Sequence, residues 1–267
     1  MAWGSVKSEE GGSVKKQLSD LFIPSTQIKL NKGLKCAIYG RAKVGKTHFC
    51  LTAPTPIYFL DTEGSAKINV KQFPQHIQEQ CFIFSALDYA TKDVKRGKID
   101  VVESLDKLYE AVDLITDETI KNDEFSGTVC IDSGTDVWDW LGTWLEERAD
   151  VKTLKSGQMM RTEWGKANAK YAQFMQQLLK SNMNVIATFR AVSAIDNQGC
   201  NLGYDNPKWQ KNTDYWFDLI GEIKVGAKRE LICHGDRFNL GDGYKIVNPT
   251  WQSLVDVLRE KVKLDIF

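Results

Sequence analysis

Residues 40–47 read Gly-Arg-Ala-Lys-Val-Gly-Lys-Thr, which is a complete G-x-x-x-x-G-K-[ST] phosphate-binding loop. Residues 34–39 before it form a short apolar run typical of a buried strand, and residues 48–53 after it can begin a helix that must stop at Pro54. A strand, a glycine loop and a helix in this order place several backbone N–H groups around one anion. The stretch therefore predicts an α/β fold with a phosphate site at the end of its first strand.

The whole loop and the residue after it are expected to contact the nucleotide. These residues are Gly40, Arg41, Ala42, Lys43, Val44, Gly45, Lys46, Thr47 and His48. Gly40 and Gly45 permit a tight backbone path, Lys46 would reach the β- and γ-phosphates, and the Thr47 hydroxyl would ligate Mg²⁺. The expected cofactors are ATP and Mg²⁺, and Lys46 is also expected to act in catalysis.

The amino-acid composition limits which kinds of protein this chain can be. The chain has 267 residues, with 35 Lys+Arg against 35 Asp+Glu, so any contact with nucleic acid must come from a local basic patch. Its six cysteines include no C-x-x-C pair, which favours reduced thiols over a disulfide framework or a zinc site. No apolar run approaches the length of a membrane span, and we expect a cytoplasmic protein without membrane contact.

The pattern along the chain predicts one domain. Residues 1–19 are rich in Gly, Ser, Lys and Glu and predict a flexible tail, and residues 20–267 predict a single domain. Apolar strand-like runs alternate with helical stretches as far as residue 188, which is typical of a mostly parallel sheet flanked by helices. Residues 219–225 and 230–234 then alternate like neighbouring antiparallel strands at the C-terminal edge of that sheet.

Two acidic positions make hydrolysis plausible chemistry for this loop. Asp132 ends the apolar strand 128–132, where a carboxylate can hold Mg²⁺ beside the phosphate loop together with Thr47. Glu63 follows the strand after the loop, where a carboxylate can polarise the water that attacks the γ-phosphate. Asp61 competes for that second role, and a simple turn at Asp-Thr-Glu-Gly is the plain alternative.

The order of these motifs resembles the RecA-type core ATPases. The phosphate loop is followed by a strand with Asp61 and Glu63, then by an apolar strand ending in Asp132-Ser133, then by a strand ending in Ala187-Thr188. The resemblance is closest to the phage-encoded nucleotide-binding RecA paralogues and spans roughly residues 34–258. It implies a RecA-like P-loop NTPase fold and ATP hydrolysis on single-stranded DNA during recombination or strand annealing, in the host cytoplasm if the chain is phage-encoded.

The resemblance also implies partners. Proteins of this type form rings or filaments in which a neighbour supplies a cation to the γ-phosphate, and the candidates here are Lys224, Lys228, Arg229 and Arg237. Arg237 ranks first because Asp236-Arg237 fits the Asp-Arg pair of that family. A single-strand DNA-binding protein is a further candidate partner. Where RecA senses the γ-phosphate with a Gln, this chain carries Thr188 and Arg190.

Residues 190–212 predict a long polar loop, and the resemblance places such a loop toward bound DNA. Its candidate DNA contacts are Arg190, Lys208, Trp209 and Lys211, which would pair phosphates and stack a ring on a base. A solvated loop with Trp209 packed down is the alternative, and residues 152–161 are a second candidate DNA path.

Two other activities share the phosphate loop. One is a P-loop ATPase of another DNA-processing machine, such as a helicase loader, a packaging ATPase or a regulatory ATPase, without strand-pairing activity. The other is a nucleoside or nucleotide kinase, against which stands the absence of an arginine-rich lid segment in the sequence.

Overall fold

The computed structural model describes residues 33–93, 98–122, 126–148 and 151–262. The described residues belong to the unit Lys32–Phe267. The expected tail at residues 1–19 lies outside the described residues. Within the described part of the chain, no helix is both long enough and apolar enough to cross a membrane.

The strands and helices alternate over most of the chain. The strands are β1 (Lys35–Gly40), β2 (Ile57–Asp61), β3 (Cys81–Ser85), β4 (Thr91–Asp93), β5 (Lys98–Asp100), β6 (Thr128–Asp132), β7 (Asn184–Ile195), β8 (Asn201–Pro207), β9 (Leu219–Val225), β10 (Arg229–Asp236) and β11 (Lys245–Val247). The helices are α1 (Lys46–Cys50), α2 (Ala66–Asn69), α3 (Gln75–Glu79), α4 (Val102–Lys121), α5 (Gly134–Glu146), α6 (Arg161–Lys180) and α7 (Trp251–Val262).

One large sheet organises the molecule. Its strand order is β11–β10–β9–β1–β7–β6–β2–β3, and β8 pairs with the outer part of β7. The six strands from β9 to β3 in this order run parallel, while β10, β11 and β8 are antiparallel to their neighbours. The predicted α/β fold, mostly parallel with antiparallel strands at the C-terminal edge, is confirmed.

Helices cover both faces of this sheet. Side chains alternate along β1, so that Ala37 and Tyr39 pack into one apolar layer and Cys36 and Ile38 into the other. The first layer is completed by α4, α5 and α6, and the second by α1 and α7. Both faces of the central strands are therefore buried, and polar side chains lie at the carboxyl ends of the strands.

Residues 190–212 differ from the predicted loop. Strand β7 continues past the helical layers to Ile195 and returns as β8, which forms a hairpin paired from Ala191↔Pro207 outward. Val192 and Tyr204 are exposed on this hairpin, and Asp196 accepts N–H groups of the connecting turn. Most side chains of this ribbon are exposed, so it has no need of an apolar face, and its polar sequence predicted a loop.

Candidate active site

The phosphate loop connects the end of β1 to the start of α1, and its two glycines are required for different reasons. A Cβ on Gly40 would lie 2.6 Å from the carbonyl oxygen of Ile223 on β9, so the backbone of β9 leaves no room for a side chain. Gly45 has a φ of 104°, a left-handed backbone conformation that favours glycine. The Arg229 guanidinium lies over Gly45, where a Cβ would be 2.7 Å from its Cζ.

Lys46 points back into the concave side of the loop. Its side chain is buried, and Nζ donates hydrogen bonds to the carbonyl oxygens of Gly40 and Arg41, each at 3.0 Å. Burial lowers the pKa of this ammonium group, although nearby Asp132 and Glu63 oppose that shift. The cation is held where an anion in the loop could replace the two carbonyl oxygens as its partner.

Asp132 ends β6 as a buried carboxylate with two hydroxyl donors. Thr47 Oγ1 donates to its Oδ2 at 2.5 Å, and the Thr188 hydroxyl donates to its Oδ1. Burial raises the pKa of Asp132, and the two hydroxyl groups partly offset this. Since β7 lies between β1 and β6, Thr188 sits between the phosphate loop and the β6 carboxylate.

Thr47 and Asp132 could bind a Mg²⁺ ion that is also coordinated by phosphate and water. Thr47 and Asp132 both offer hard oxygen ligands, which Mg²⁺ prefers. Among the described residues, no group of three His, Cys, Asp or Glu side chains could hold a metal without such help. The residues present therefore fit Mg²⁺ bound together with a nucleotide.

Asp61 and Glu63 occupy different environments. The Asp61 carboxylate is fully buried and accepts backbone N–H groups from all four residues of the following turn. These are Glu63 at 3.1 Å, Gly64 at 2.8 Å, Ser65 at 3.3 Å and Ala66 at 2.9 Å. Asp61 thus shapes the turn, while the Glu63 side chain, still 30% exposed, lines the cavity beyond the phosphate loop.

Arg190 connects the turn after β2 to the start of α5. Its guanidinium lies 3.0 Å from Glu63 Oε1 and 2.7 Å from Asp136 Oδ1. Asp136 is buried and also accepts hydrogen bonds from the hydroxyls of Thr62 at 2.9 Å and Ser133 at 3.3 Å. Burial raises the pKa of Asp136, and Arg190 counteracts the shift. Arg190, which the sequence placed among the DNA contacts, is engaged at the phosphate site.

Asp136 is a residue that the sequence reasoning missed. Its signal was available, because a residue in the first turn of a helix directly after the Asp132 strand must lie near the same sheet edge. The cavity that these groups line has a volume of about 1050 Å³. It reaches from His48 and Arg229 on one side to Leu87, Ile99 and Trp140 on the other.

Arg237 is not among the residues that line this cavity. Its guanidinium donates to the Tyr215 carbonyl oxygen at 2.8 Å and lies 3.3 Å from Asp218 Oδ1, with 59% of the side chain exposed. Arg229, which was an alternative to Arg237 as a cation donated to a neighbour, instead lines the cavity of its own chain.

The other three predicted DNA contacts, Lys208, Trp209 and Lys211, have different environments. Lys208 Nζ lies 2.6 Å from Asp139 Oδ2. Trp209 packs edge-on against Phe189, with ring centroids 5.1 Å apart, and also contacts Tyr39. Lys211 is exposed. The Trp209 ring is therefore occupied by packing against the sheet and does not stand open for a base.

Comparisons with known proteins identify a family for this chain. A family model described as "AAA domain" matches residues 32–239. Among solved structures, the chain is similar to a prototypical ATPase from the type III secretion system of pathogenic bacteria, with a TM-score of 0.41 and 12% identity. That match covers 72% of this chain and 52% of the other, so this chain spans about half the length of the secretion ATPase. A comparison with curated proteins found no match.

Proposed function

Because this chain belongs to the AAA-domain family, we propose that it binds ATP together with Mg²⁺ in the cavity described above and hydrolyses it. One observation carries the proposal. Lys46, Asp132, Glu63 and Arg190 converge at the carboxyl ends of four neighbouring strands, β1, β7, β6 and β2. This arrangement supports a site in which a buried cation, a metal-binding carboxylate, a carboxylate base and a second cation surround one phosphate group.

Binding is explained by exchange of partners at Lys46. The ammonium gives up the carbonyl oxygens of Gly40 and Arg41 and donates to the β- and γ-phosphates, while loop N–H groups contact the same phosphates. Thr47 and Asp132 would hold Mg²⁺, which would offset the negative charge of the phosphate groups.

Hydrolysis is assigned to Glu63 with Arg190 as its regulator. Arg190 holds Glu63 Oε1 at 3.0 Å and neutralises it. A γ-phosphate offers the guanidinium a stronger anionic partner, so we expect Arg190 to turn toward it and release Glu63. Glu63 then accepts a proton from the attacking water, and Arg190 offsets the charge of the transferring phosphoryl group.

We further propose that turnover is coupled to single-stranded DNA. Gln210 Nε2 donates to Asn168 Oδ1 at 3.3 Å, which holds the segment around Lys211 against α6. Lys152, Lys155 and Arg161, just before or at the start of the same helix, are exposed, as is Lys211. In the part of the chain that the structure describes, none of these four cations has an acidic partner, which supports a phosphate-binding surface formed by both predicted DNA segments.

We also propose a homo-oligomer, ring or filament, in which Arg237 reaches the γ-phosphate of a neighbour. Its exposure and its weak ion pair with Asp218 leave the guanidinium free to change partners. A repeated head-to-tail contact of this kind generates rings or filaments.

An ATPase assay on the full chain tests the proposal. We expect phosphate release that requires Mg²⁺, increases with single-stranded oligonucleotide and disappears in Lys46→Ala. Replacing Lys211, Lys155 and Arg161 by Ala should flatten the log-affinity against log-salt plot for DNA by about 0.7 for each cation engaged.

The other outcomes are informative as well. Turnover that ignores DNA would assign the chain to a different ATP-driven machine, and transfer of the phosphoryl group to a nucleoside or its monophosphate would identify a kinase. Hydrolysis that survives Lys46→Ala would refute the assignment of the phosphate loop.

A further inference from the structure

Arg229 is the first residue of β10, and its backbone is held in place on both sides. It pairs with Val225 across the antiparallel β9–β10 ladder, and its carbonyl oxygen accepts the Asn248 N–H at 2.7 Å. A tight turn in which Gly226 N–H bonds to the Lys228 carbonyl oxygen precedes it. The side chain therefore starts from a fixed backbone position on β10, which is separated from β1 by β9.

The guanidinium covers the second glycine of the phosphate loop. A Cβ on Gly45 would lie 2.7 Å from both Cζ and Nε of Arg229 and 3.1 Å from its NH1 atom. Arg229 lines the same cavity as Lys46 and His48. The positive charge is thus beside the loop backbone, in the same chain, and on the side opposite to Glu63 and Arg190.

Arg229 is partly exposed, and the buried part of its guanidinium lacks the hydrogen-bond partner that such a group normally has. Its Nε is buried without a hydrogen-bond partner, and its guanidinium forms no ion pair with any residue in the described ranges. Arginine is rarely buried unless it is paired, because its N–H groups lose water and need acceptors. Other cations on this edge are satisfied, as Lys224 lies 3.0 Å from Glu222 and Lys245 lies 3.1 Å from Glu230.

We infer that Arg229 binds a phosphate group of the nucleotide in its own chain, at the Gly45–His48 end of the loop. This inference rests on the proposed nucleotide site and adds a ligand to it. A phosphate supplies the acceptors that the guanidinium lacks, in the planar two-bond geometry that Arg favours. Arg229 therefore acts in cis, on the nucleotide held by its own phosphate loop, and is not a cation donated to a neighbouring subunit.

The test is a binding measurement on the full chain with ADP, with ATP and with inorganic tripolyphosphate as a competitor that has no base. Arg229→Ala should weaken all three by roughly 10- to 100-fold, the range for losing a hydrogen-bonded charge. Arg229→Lys should recover part of the loss because it keeps the charge without the fork. Lys245→Ala removes a cation from the adjacent strand β11 and should leave binding unchanged.

Further outcomes separate the inference from the proposed function. If the parent chain binds nucleotide and Arg229→Ala binds it equally tightly, the proposed role of Arg229 is overturned while the proposed function stands. A loss for ATP without a loss for tripolyphosphate overturns the phosphate contact, and a loss seen only at concentrations where the chain self-associates overturns its action in cis. If the parent chain binds neither nucleotide nor tripolyphosphate, the proposed function fails together with the inference.

Discussion

Asp132 is a residue of the candidate site whose burial lowers the stability of the folded protein. Asp132 is a carboxylate buried at the end of a core strand, where two hydroxyl groups donate to it and no cation among the described residues forms an ion pair with it. A neutral side chain would suit this environment better in the absence of metal, because burial disfavours the ionised form. Such a position is expected where function, and not folding, selects the residue.

Asp132→Asn should therefore stabilise the nucleotide-free protein, by about 0.5–2 kcal/mol near neutral pH, while it weakens the Mg²⁺ dependence of ATP binding. The pH dependence has a definite sign. Because the pKa of Asp132 is raised in the folded protein, the carboxyl group ionises at a lower pH in the unfolded state than in the folded state. The free energy of unfolding of the parent protein therefore falls, relative to that of the variant, as pH increases from about 3.9 through the folded pKa.

Thermal melts across pH measure this difference. The melting temperatures of the parent and Asp132→Asn should coincide at low pH, diverge as pH rises, and then remain apart by a constant amount. Asp256→Asn on the exposed face of α7 is the matched control and should show no such divergence. A melting temperature lower for Asp132→Asn than for the parent at neutral pH would contradict the argument.

The roles of Glu63 and Asp61 can be distinguished by measuring both ATP turnover and fold stability in a variant at each position. Glu63→Gln should keep ATP bound and slow hydrolysis by about 10²-fold or more, the usual scale for losing a positioned base. Asp61→Asn removes the charged acceptor of four backbone N–H groups and should destabilise the fold by about 1–3 kcal/mol. Normal turnover in Glu63→Gln together with loss of turnover in a stably folded Asp61→Asn would mean that the two roles are reversed.

At the scale of elements, the β7–β8 hairpin is tied to the nucleotide site at two points. Arg41, the second residue of the phosphate loop, makes two hydrogen bonds of 2.7 Å to the Asp205 carboxylate on β8 and a third to Ser193 on β7. At the base of the hairpin, Arg190 contacts Glu63. A shift of the loop or of Arg190 on nucleotide binding would therefore be transmitted to this projecting ribbon.

Asp205→Asn tests that connection while keeping the shape of the side chain. Backbone amides of the hairpin should exchange with solvent faster than in the parent, by about threefold, as expected for a largely exposed ion pair. Addition of ADP should change hairpin exchange in the parent and have a smaller effect in the variant. Ser193→Ala removes only the single hydroxyl bond and should resemble the parent. Equal responses to ADP in the parent and in Asp205→Asn would show that the hairpin does not follow the loop.

At the scale of the whole molecule, the proposed trans-acting Arg237 makes a prediction about mixtures. Lys46→Ala retains Arg237 but cannot bind nucleotide, and Arg237→Ala retains the phosphate loop but lacks the cation. Loss of an arginine finger costs roughly 10³-fold or more in turnover. Each variant should therefore be nearly inactive alone, and a mixture should regain part of the parent ATPase rate.

The rate of the mixture, measured across protein concentration, decides between the possibilities. An inactive mixture would refute a contribution from the neighbour. Full activity of Arg237→Ala alone would leave Lys224 or Lys228 as the candidate cation, since Arg229 is already committed to the cavity of its own chain. Lys67→Ala, which removes an exposed cation paired with Asp88, is the control and should retain the parent rate.

The sequence by itself determined the local parts of this molecule. The strand predicted at residues 128–132 is observed as β6 over Thr128–Asp132. The neighbouring antiparallel strands predicted at residues 219–225 and 230–234 are observed as β9 and β10. The phosphate loop lies between strand and helix as its motif requires. These features depend on side-chain periodicity and backbone conformation over a few neighbouring residues, which is the information that a linear pattern contains.

Only the tertiary structure decided which distant residues complete the site. Arg190 and Glu63 are 127 positions apart, and they meet because β7 and β2 both flank β6 in the sheet. Arg229 reaches Gly45 because β9 pairs with β1 and β10 returns beside it. Each strand is compatible with several neighbours by its own pattern, and the order is set by packing of the whole sheet between its helices. The segment expected to be a polar loop is a hairpin in the structure. Pairing of β7 with β8 satisfies backbone N–H and C=O groups whose partners the sequence pattern did not indicate.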